Sequence, residues 1–242
     1  METYLHTEQA TAVIEAMTPC DYLPRLSYFL DIAPIDHADY IRRWLFAYAT
    51  IRNGWQQSLH LYRELEDLAW VNDKDKLQAA ILRGKAGFHN VRVRYIWDFI
   101  EKFHSDPDSF FPRAGETWVS FRNRLVGATL GIGLAKVSFT LEMTWPEQCR
   151  VVCLDAHMLR LYGENPNKTL RLPDYEAAEA HWVTTSADNG MAPAIARAVY
   201  WDSVQSQDNS HYWGNVFHGR TKAEEPDGRA QRSPARAPVG AL

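Results

Sequence analysis

The sequence has few cysteines and no long apolar run. Its 242 residues include only three cysteines, Cys20, Cys149 and Cys153, and this odd, small number favours reduced thiols in the cytoplasm. Cys149 and Cys153 are four residues apart, but no further cysteine stands near them to complete a zinc or iron–sulfur site, so we expect no metal centre. No apolar stretch approaches the roughly 20 residues that span a bilayer, so we expect no membrane partner.

The chain also lacks an excess of positive charge. It carries 26 Lys and Arg against 30 Asp and Glu, for a net charge of −4, whereas domains that bind nucleic acids strongly are usually basic. Binding to a polyanion would therefore depend on a local cluster of cations. Hydrophobic residues make up 46% of the chain, which indicates a folded protein with a sizeable core.

Apolar residues recur at helical spacing along most of the chain, and no succession of strands or internal repeat is visible. In 36–50, Asp36 is a good N-cap residue and Ile41, Trp44, Leu45 and Tyr48 follow on one face. The same spacing predicts helices over 61–68, 93–103 and 116–128, and later helices that open at Pro173-Asp174, with Asp174 as the cap, and at Pro193. The sequence therefore predicts an all-α protein. Residues 219–242 contain almost no large apolar residue, and we expect them to be disordered.

Residues 121–163 combine several features that can carry chemistry. A helix ends at the turn Gly131-Ile132-Gly133, and a second helix begins at once. Two glycines permit a tight turn and leave backbone amides at a helix N-terminus uncovered, which suits a phosphate group, although Gly-x-Gly alone is also common in ordinary turns. Lys136 lies in the first turn of the second helix, where the helix dipole disfavours its ammonium form. A neutral lysine can attack a sugar carbon and form a Schiff base, although for a lone lysine the simpler interpretation is a surface side chain that contacts phosphate.

An apolar run over 151–154 leads to Asp155 at the start of another helix. A carboxylate held at the edge of a core can stabilise an oxocarbenium-like sugar or activate a nucleophile. Asp155 can also be a simple N-cap, and the two roles are compatible.

Together these segments resemble the helix-hairpin-helix superfamily of base-excision DNA glycosylases, of the endonuclease III and 8-oxoguanine glycosylase type. The family has a hairpin similar to L-P-G-V-G, a lysine shortly after it in the members that also cleave the strand, and a later V-D-T-H-V-x-R segment with the catalytic aspartate. The corresponding stretches here are 130–133 and 154–160, and Lys136 precedes Asp155 by nineteen residues. The resemblance covers roughly 40–205, including 44–65 and 81–99.

The resemblance implies a fold of two helical lobes with a cleft between them. We expect one domain over 1–218, with a central lobe at about 40–145 and a second lobe from 1–39 and 146–218. It also implies a monomer that binds double-stranded DNA at the nucleoid, with no cofactor apart from a monovalent cation that the hairpin could bind.

The same resemblance assigns roles to individual residues. Lys136 and Asp155 would be catalytic, and the hairpin Gly131, Ile132 and Gly133 would bind the DNA backbone. The turn residues Asn53, Gly54, Trp55 and Gln56 would fill the space left by a flipped nucleotide. Arg92, Arg94, Arg122 and Arg124 are candidates for phosphate contact, or for a solvated helix face. Phe88, His157 and Trp201 are candidates for the base pocket, and Trp55 and Tyr212 are further candidates for stacking there.

Two departures from the family pattern keep alternatives open. Leu130 stands where the family has proline, and Lys136 lies one position later than the commonest spacing, so Ala135 could occupy the lysine slot. In that case the enzyme would release a base without cleaving the strand. Two other functions would use the same scaffold: a viral type of base hypermodification, in which an amine displaces an activated group on a thymine derivative, and a non-catalytic DNA-binding module.

Overall fold

The computed structural model describes residues 6–205, and within this range it contains helices and no β-strand. The predicted all-α class is therefore confirmed. The predicted disorder of 219–242 and the candidate Tyr212 lie outside the described residues. The described helices are, in chain order, α1 (Thr7–Glu15), α2 (Pro19–Asp31), α3 (His37–Ala49), α4 (Trp55–Arg63), α5 (Lys74–Arg83), α6 (His89–Ser105), a 3₁₀ helix (Pro107–Phe110), α7 (Trp118–Ala128), α8 (Leu134–Thr144), α9 (Ala156–Leu161), α10 (Leu172–Asp188) and α11 (Pro193–Gln205).

Short polar side chains set several helix starts. The Asp36 carboxylate accepts a hydrogen bond from the Asp39 amide at 2.7 Å and caps α3, as the sequence predicts. Asp174 is not the predicted cap of α10. That helix begins two residues earlier at Leu172, and Asp174 lies in its first turn, where its carboxylate accepts from the Arg171 guanidinium at 2.6 Å.

The larger hydrophobic core surrounds α3 and α8. These two helices pack against each other and are buried along most of their length, which is typical of central helices whose apolar residues are not confined to one stripe. Trp44 of α3 is fully buried and stacks on Phe99 of α6, with 5.1 Å between the ring centroids. Helices α4 to α7 cover the two central helices, α3 and α8, with their apolar faces.

A second core lies between α1, α9 and α10, and the extended segment 151–154 separates it from the first. Val151 and Cys153 belong to the first core, whereas Val152 and Leu154 belong to the second. Because successive side chains of an extended backbone point to opposite sides, this segment passes between the two cores and contributes to both. It therefore delivers Asp155 to the place where the two cores meet.

The bounds of the predicted lobes stay a prediction, and the larger core draws residues from both predicted ranges. Helix α1 joins the second core through Ala10 and Ile14, but Phe29 of α2 and Ile32, which follows the end of α2, belong to the first core. Helix α2 also packs against α11. Helix α2 therefore contributes to the first core together with residues of 40–145.

Candidate active site

A tight turn joins α7 to α8 and gives the hairpin its shape. Gly131 has φ of +72°, and a Cβ at this position would lie 1.9 Å from the ring of Tyr95, so both the backbone conformation and the space require glycine. The Ile132 side chain is buried in the first core. Gly133 is the N-cap of α8, and the first amides of this helix, which have no acceptor within it, therefore lie at the hairpin.

Lys136 is half-buried in the first turn of α8. Its Nζ lies 5.5 Å from the centroid of the Phe139 ring, one turn further along the same helix. The guanidinium of Arg197, from α11, lies over the same ring, also at 5.5 Å. Aromatic rings attract cations, and both side chains lie beside Phe139. Lys136 and Arg197 are therefore close in space, although they are 61 positions apart in the sequence.

Asp155 is the N-cap of α9. Its Oδ1 accepts hydrogen bonds from the amides of His157 at 2.9 Å and Met158 at 3.1 Å, as the N-cap interpretation of the sequence predicts. Its Oδ2 lies 3.6 Å from Nη1 of Arg197. One oxygen of the carboxylate is thus held by backbone amides, and the other faces an arginine.

Two buried carboxylates fix the extended segment that leads to Asp155. Glu142 of α8 accepts from the Cys153 amide at 3.0 Å, and Glu179 of α10 accepts from the Val152 amide at 2.9 Å. Each carboxylate binds a buried arginine: the Arg197 Nε lies 2.9 Å from both oxygens of Glu142, and the Arg122 Nη1 lies 2.8 Å from Glu179. Burial raises the pKa of Glu142 to about 7, although Arg197 acts in the opposite direction.

Lys136 and Asp155 line one cavity of about 290 Å³, which we call the lysine–aspartate cavity. Asn53, Trp55, His157 and Trp201 from the predicted set also line it. Its complete lining is Thr50, Asn53, Trp55, Ser58, Lys136, Phe139, Cys153, Asp155, His157, Arg197 and Trp201.

Two tryptophans form part of the cavity wall. The rings of Trp55, the first residue of α4, and Trp201 of α11 lie 5.8 Å apart at an angle of 55°. Trp55 also packs edge-on against Phe46 of the first core. It therefore lies in the wall of the cavity, and both of its predicted roles, in the turn and in stacking, stay predictions. Its predicted neighbours Gly54 and Gln56 are exposed, and the Asn53 side chain donates to the Ala49 carbonyl at 2.8 Å.

The arginines predicted for phosphate contact have different environments. Arg92 is buried and donates to the carbonyls of Gly87, Tyr48 and Ile51. Arg122 is fully buried against Glu179. The Arg122 guanidinium is shielded from solvent, so for Arg122 the prediction of a phosphate contact is wrong. Arg92 also lines a cavity that includes Gly131, and its phosphate contact stays a prediction.

The two other predicted arginines are closer to solvent. The Arg124 guanidinium binds Glu116 through two hydrogen bonds of 2.7 Å and also donates to the carbonyls of Ser109 and Phe111. It holds the start of α7 in place, which leaves it poorly suited to phosphate. Arg94 is exposed, with its guanidinium 5.1 Å from the Tyr95 ring centroid. Of these four arginines, Arg94 is the one whose surroundings suit a phosphate.

Phe88 does not line the lysine–aspartate cavity, and its place in a base pocket stays a prediction. It is the N-cap of α6, with φ of +59°, and 60% of its surface is exposed. The Arg52 guanidinium lies 5.4 Å from its ring centroid, and both residues line a separate cavity beside Gly131. The aromatic character of Phe88 suggested stacking, but its location could be known only from the structure.

Several residues of the site carry no signal in the sequence. Arg197 and Glu142 are 55 positions apart and lie within ordinary helical patterns. Phe139 and Cys153 read as core residues, and Thr50 and Ser58 as helix-end residues. Each becomes part of the site only because α3, α4, α8 and α11 converge at the cavity.

The structure holds no arrangement for metal chemistry in residues 6–205: no group of three or more His, Cys, Asp or Glu side chains could bind a metal ion there. Over the same residues, no helix is long and apolar enough to cross a bilayer. The monovalent cation at the hairpin stays a prediction.

Similar folds occur in solved structures of DNA glycosylases, although no family model and no curated protein matches the sequence. The 8-oxoguanine DNA glycosylase of Thermotoga maritima has a TM-score of 0.66 and 18% identity, covering 84% of this chain and 99% of that one. The enzyme of Methanocaldococcus jannaschii has a TM-score of 0.66 and 17% identity, covering 83% and 94%. A complex of the Methanocaldococcus jannaschii 8-oxoguanine glycosylase/lyase with a 15mer DNA containing 8-oxoguanine has a TM-score of 0.64 and 17% identity, covering 83% and 97%. The chain thus has the all-helical fold of the 8-oxoguanine DNA glycosylases.

Proposed function

We propose that this protein is a DNA glycosylase that takes a flipped base into the lysine–aspartate cavity and breaks its N-glycosidic bond. The observation that carries the proposal is that Lys136 and Asp155 line the same cavity. A nucleophile, a carboxylate and aromatic walls are what base excision requires in one place, since the base must leave the stack and its sugar must meet a nucleophile.

Lys136 is the proposed nucleophile. In its neutral form, the Nζ lone pair attacks C1′ of the flipped nucleotide, the C1′–N bond breaks, and its electrons leave with the base. The base takes up the proton that the new C1′–N⁺ centre releases. Opening of the C1′–O4′ bond, with a proton to O4′, then gives a Schiff base, from which loss of a C2′ proton and of the 3′-phosphate cleaves the strand.

Asp155 is the proposed acid–base and electrostatic partner. Two backbone amides hold Oδ1, which leaves Oδ2 for the chemistry. A carboxylate oxygen at the edge of the cavity can stabilise positive charge that develops on the sugar, and it can carry the proton from the amine to the departing base.

The hairpin is the proposed DNA-binding element, with its glycine turn and the N-terminus of α8 directed at a backbone phosphate. The similar structures are those of 8-oxoguanine DNA glycosylases, and 8-oxoguanine is therefore our first candidate for the excised base. Trp55 and Trp201 offer aromatic surfaces for stacking a purine.

The proposal is tested with duplex oligonucleotides that each carry one defined lesion, beginning with 8-oxoguanine. We expect base release, strand cleavage, and a covalent protein–DNA adduct when borohydride is present, since hydride reduces the Schiff base. Lys136→Ala should lose the adduct and Asp155→Asn should lose base release. Lys76→Ala is the matched control, because Lys76 pairs with Asp73 on the surface of α5 and should retain both.

Different outcomes separate the alternatives. Base release without cleavage or adduct would assign a monofunctional glycosylase and remove Lys136 from the nucleophile's role. Binding to the duplex with no base release from any lesion, unchanged in Asp155→Asn, would contradict the proposal and favour a non-catalytic module.

A further inference from the structure

The buried pair Glu142–Arg197 has a feature that stability alone does not require. Arg197 is 2% exposed and Glu142 is 1% exposed, and the guanidinium uses Nε and Nη2 for Glu142, at 2.9 and 2.8 Å. Its remaining nitrogen, Nη1, lies 3.6 Å from Oδ2 of Asp155. One arginine therefore faces two carboxylates, one inside the core and one in the lysine–aspartate cavity.

We propose that Arg197, held in place by Glu142, is a positioning residue that orients the Asp155 carboxylate toward the reacting sugar. This inference rests on the function proposed above. With Oδ1 held by the amides of His157 and Met158 and Oδ2 facing Arg197, the carboxylate is restrained against rotation about its Cβ–Cγ bond. Glu142 restrains the guanidinium in turn through a planar, two-oxygen contact, which an arginine provides and a lysine cannot.

The backbone reinforces this arrangement. Glu142 also accepts from the Cys153 amide at 3.0 Å, two residues before Asp155. The same carboxylate thus fixes both the guanidinium that faces Asp155 and the extended segment that carries it. Since a displacement of about 1 Å at a reacting group can reduce a rate about 100-fold, such restraint on a carboxylate at the cavity edge has a direct kinetic value.

The chain contains a matched control pair. Arg122 and Glu179 are equally buried, at 0% and 2%, and Glu179 accepts from the neighbouring Val152 amide at 2.9 Å. Arg122 instead lies over the Tyr175 ring, 5.4 Å from its centroid, and its Nη1 is 3.3 Å from the Ser138 hydroxyl. The two pairs support the same segment, but it is the Glu142–Arg197 pair whose guanidinium faces Asp155.

The test compares two double variants, Glu142→Gln with Arg197→Met and Glu179→Gln with Arg122→Met. Replacing both members of a buried ion pair avoids an unpaired charge, so both proteins should fold with similar losses of Tm. Single-turnover base release is measured on a lesion that the wild-type protein processes. We expect about a 100-fold loss for the first pair, a change within about threefold for the second, and no more than a twofold change in DNA Kd for either.

A second substrate and a second variant separate the outcomes. On DNA that already contains an abasic site, borohydride trapping by Lys136 should remain in both double variants, because no base has to leave. Arg197→Lys keeps the charge and should fold even where the double variant does not, but it loses the two-oxygen contact, so its base release should fall about 10-fold. Equal rates in the two double variants, or a wild-type rate in Arg197→Lys, would overturn the inference while the proposed function stands. Absence of base release by the wild-type protein would instead overturn the proposed function.

Discussion

At the scale of single residues, Gly131 shows how the hairpin depends on one missing atom. Its φ of +72° is costly for a residue with a Cβ, and a methyl group there would lie 1.9 Å from Cδ2 of Tyr95. We therefore expect Gly131→Ala to lower the free energy of unfolding by about 2 kcal/mol, from the backbone strain and the displaced ring together. Urea unfolding measures the loss.

Gly133 is the matched control for this substitution. It lies two positions later in the same turn, with φ of −110°, and a Cβ there would meet no atom within 4 Å. Gly133→Ala should stay within about 0.5 kcal/mol of the wild-type protein. If the two variants lost similar amounts of unfolding free energy, the contact with Tyr95 would not be the cause of the loss in Gly131→Ala.

The residues that could be predicted from the sequence are those whose role depends on their immediate neighbours along the chain. The spacing of Gly131, Lys136 and Asp155 is local, and the structure places the latter two at one cavity. Arg92 and Arg94 read alike in the sequence, yet one is buried and the other exposed. Which of them faces solvent depends on how α6 packs against the carbonyl end of α3, and this tertiary contact has no local signature.

At the scale of elements, the Arg124–Glu116 pair fixes the segment that enters α7. The hydrogen bonds from Arg124 lower the pKa of Glu116 to about 2, from an ordinary value of 4.5. A carboxylate whose pKa is depressed in the folded state stabilises the protein at pH values above its unfolded pKa, and the stabilisation is lost as the pH falls through the folded pKa.

The pair therefore predicts a pH-dependent effect of one substitution. At pH 7, Glu116→Gln should reduce the free energy of unfolding by about 1 kcal/mol, since the pair is partly buried and doubly hydrogen-bonded. The difference should shrink between pH 5 and pH 2, measured by urea unfolding at each pH. Glu64→Gln is the control, because the Glu64–Arg83 pair is more exposed and should contribute little at any pH. A difference for Glu116→Gln that does not change with pH would contradict this assignment.

The extended segment 151–154 shows what a pattern of apolar residues leaves open. The sequence predicts that an apolar run leads to Asp155, but Val151 and Cys153 enter one core and Val152 and Leu154 the other. Four consecutive apolar residues carry no period, so they cannot indicate which residue faces which core. By contrast, the periodic pattern and the cap of α3 predict its start correctly.

At the scale of the whole molecule, charge limits the DNA binding that we propose for this protein. In the described residues, four arginines and four carboxylates are buried. The arginines are Arg43, Arg92, Arg122 and Arg197, and the carboxylates are those of Asp39, Glu142, Glu179 and Asp202. The interior is therefore balanced, and the net charge of −4 is carried by the rest of the chain. Long-range attraction to a polyanion is weak for such a protein, so the proposed DNA binding would depend on the hairpin amides and on a few local cations.

The low content of available cations predicts a shallow dependence of DNA affinity on salt. Each phosphate neutralised by a cation contributes about 0.9 to the slope of log K against log salt. Backbone amides carry no charge, so a phosphate that only amides bind does not add to this slope. With Arg94 and two or three other cations in contact, the slope should lie between about −2 and −4. The slope is measured by fluorescence anisotropy between 50 and 200 mM salt, with Asp155→Asn bound to a lesion duplex so that no base is released.

A variant and a control test which cation contributes. Arg94→Met should lower the magnitude of the slope by about 1. Arg63→Met, a change at an exposed arginine of α4, serves as the surface control. A slope steeper than about −6 would mean that DNA meets a far more basic surface than the described residues provide.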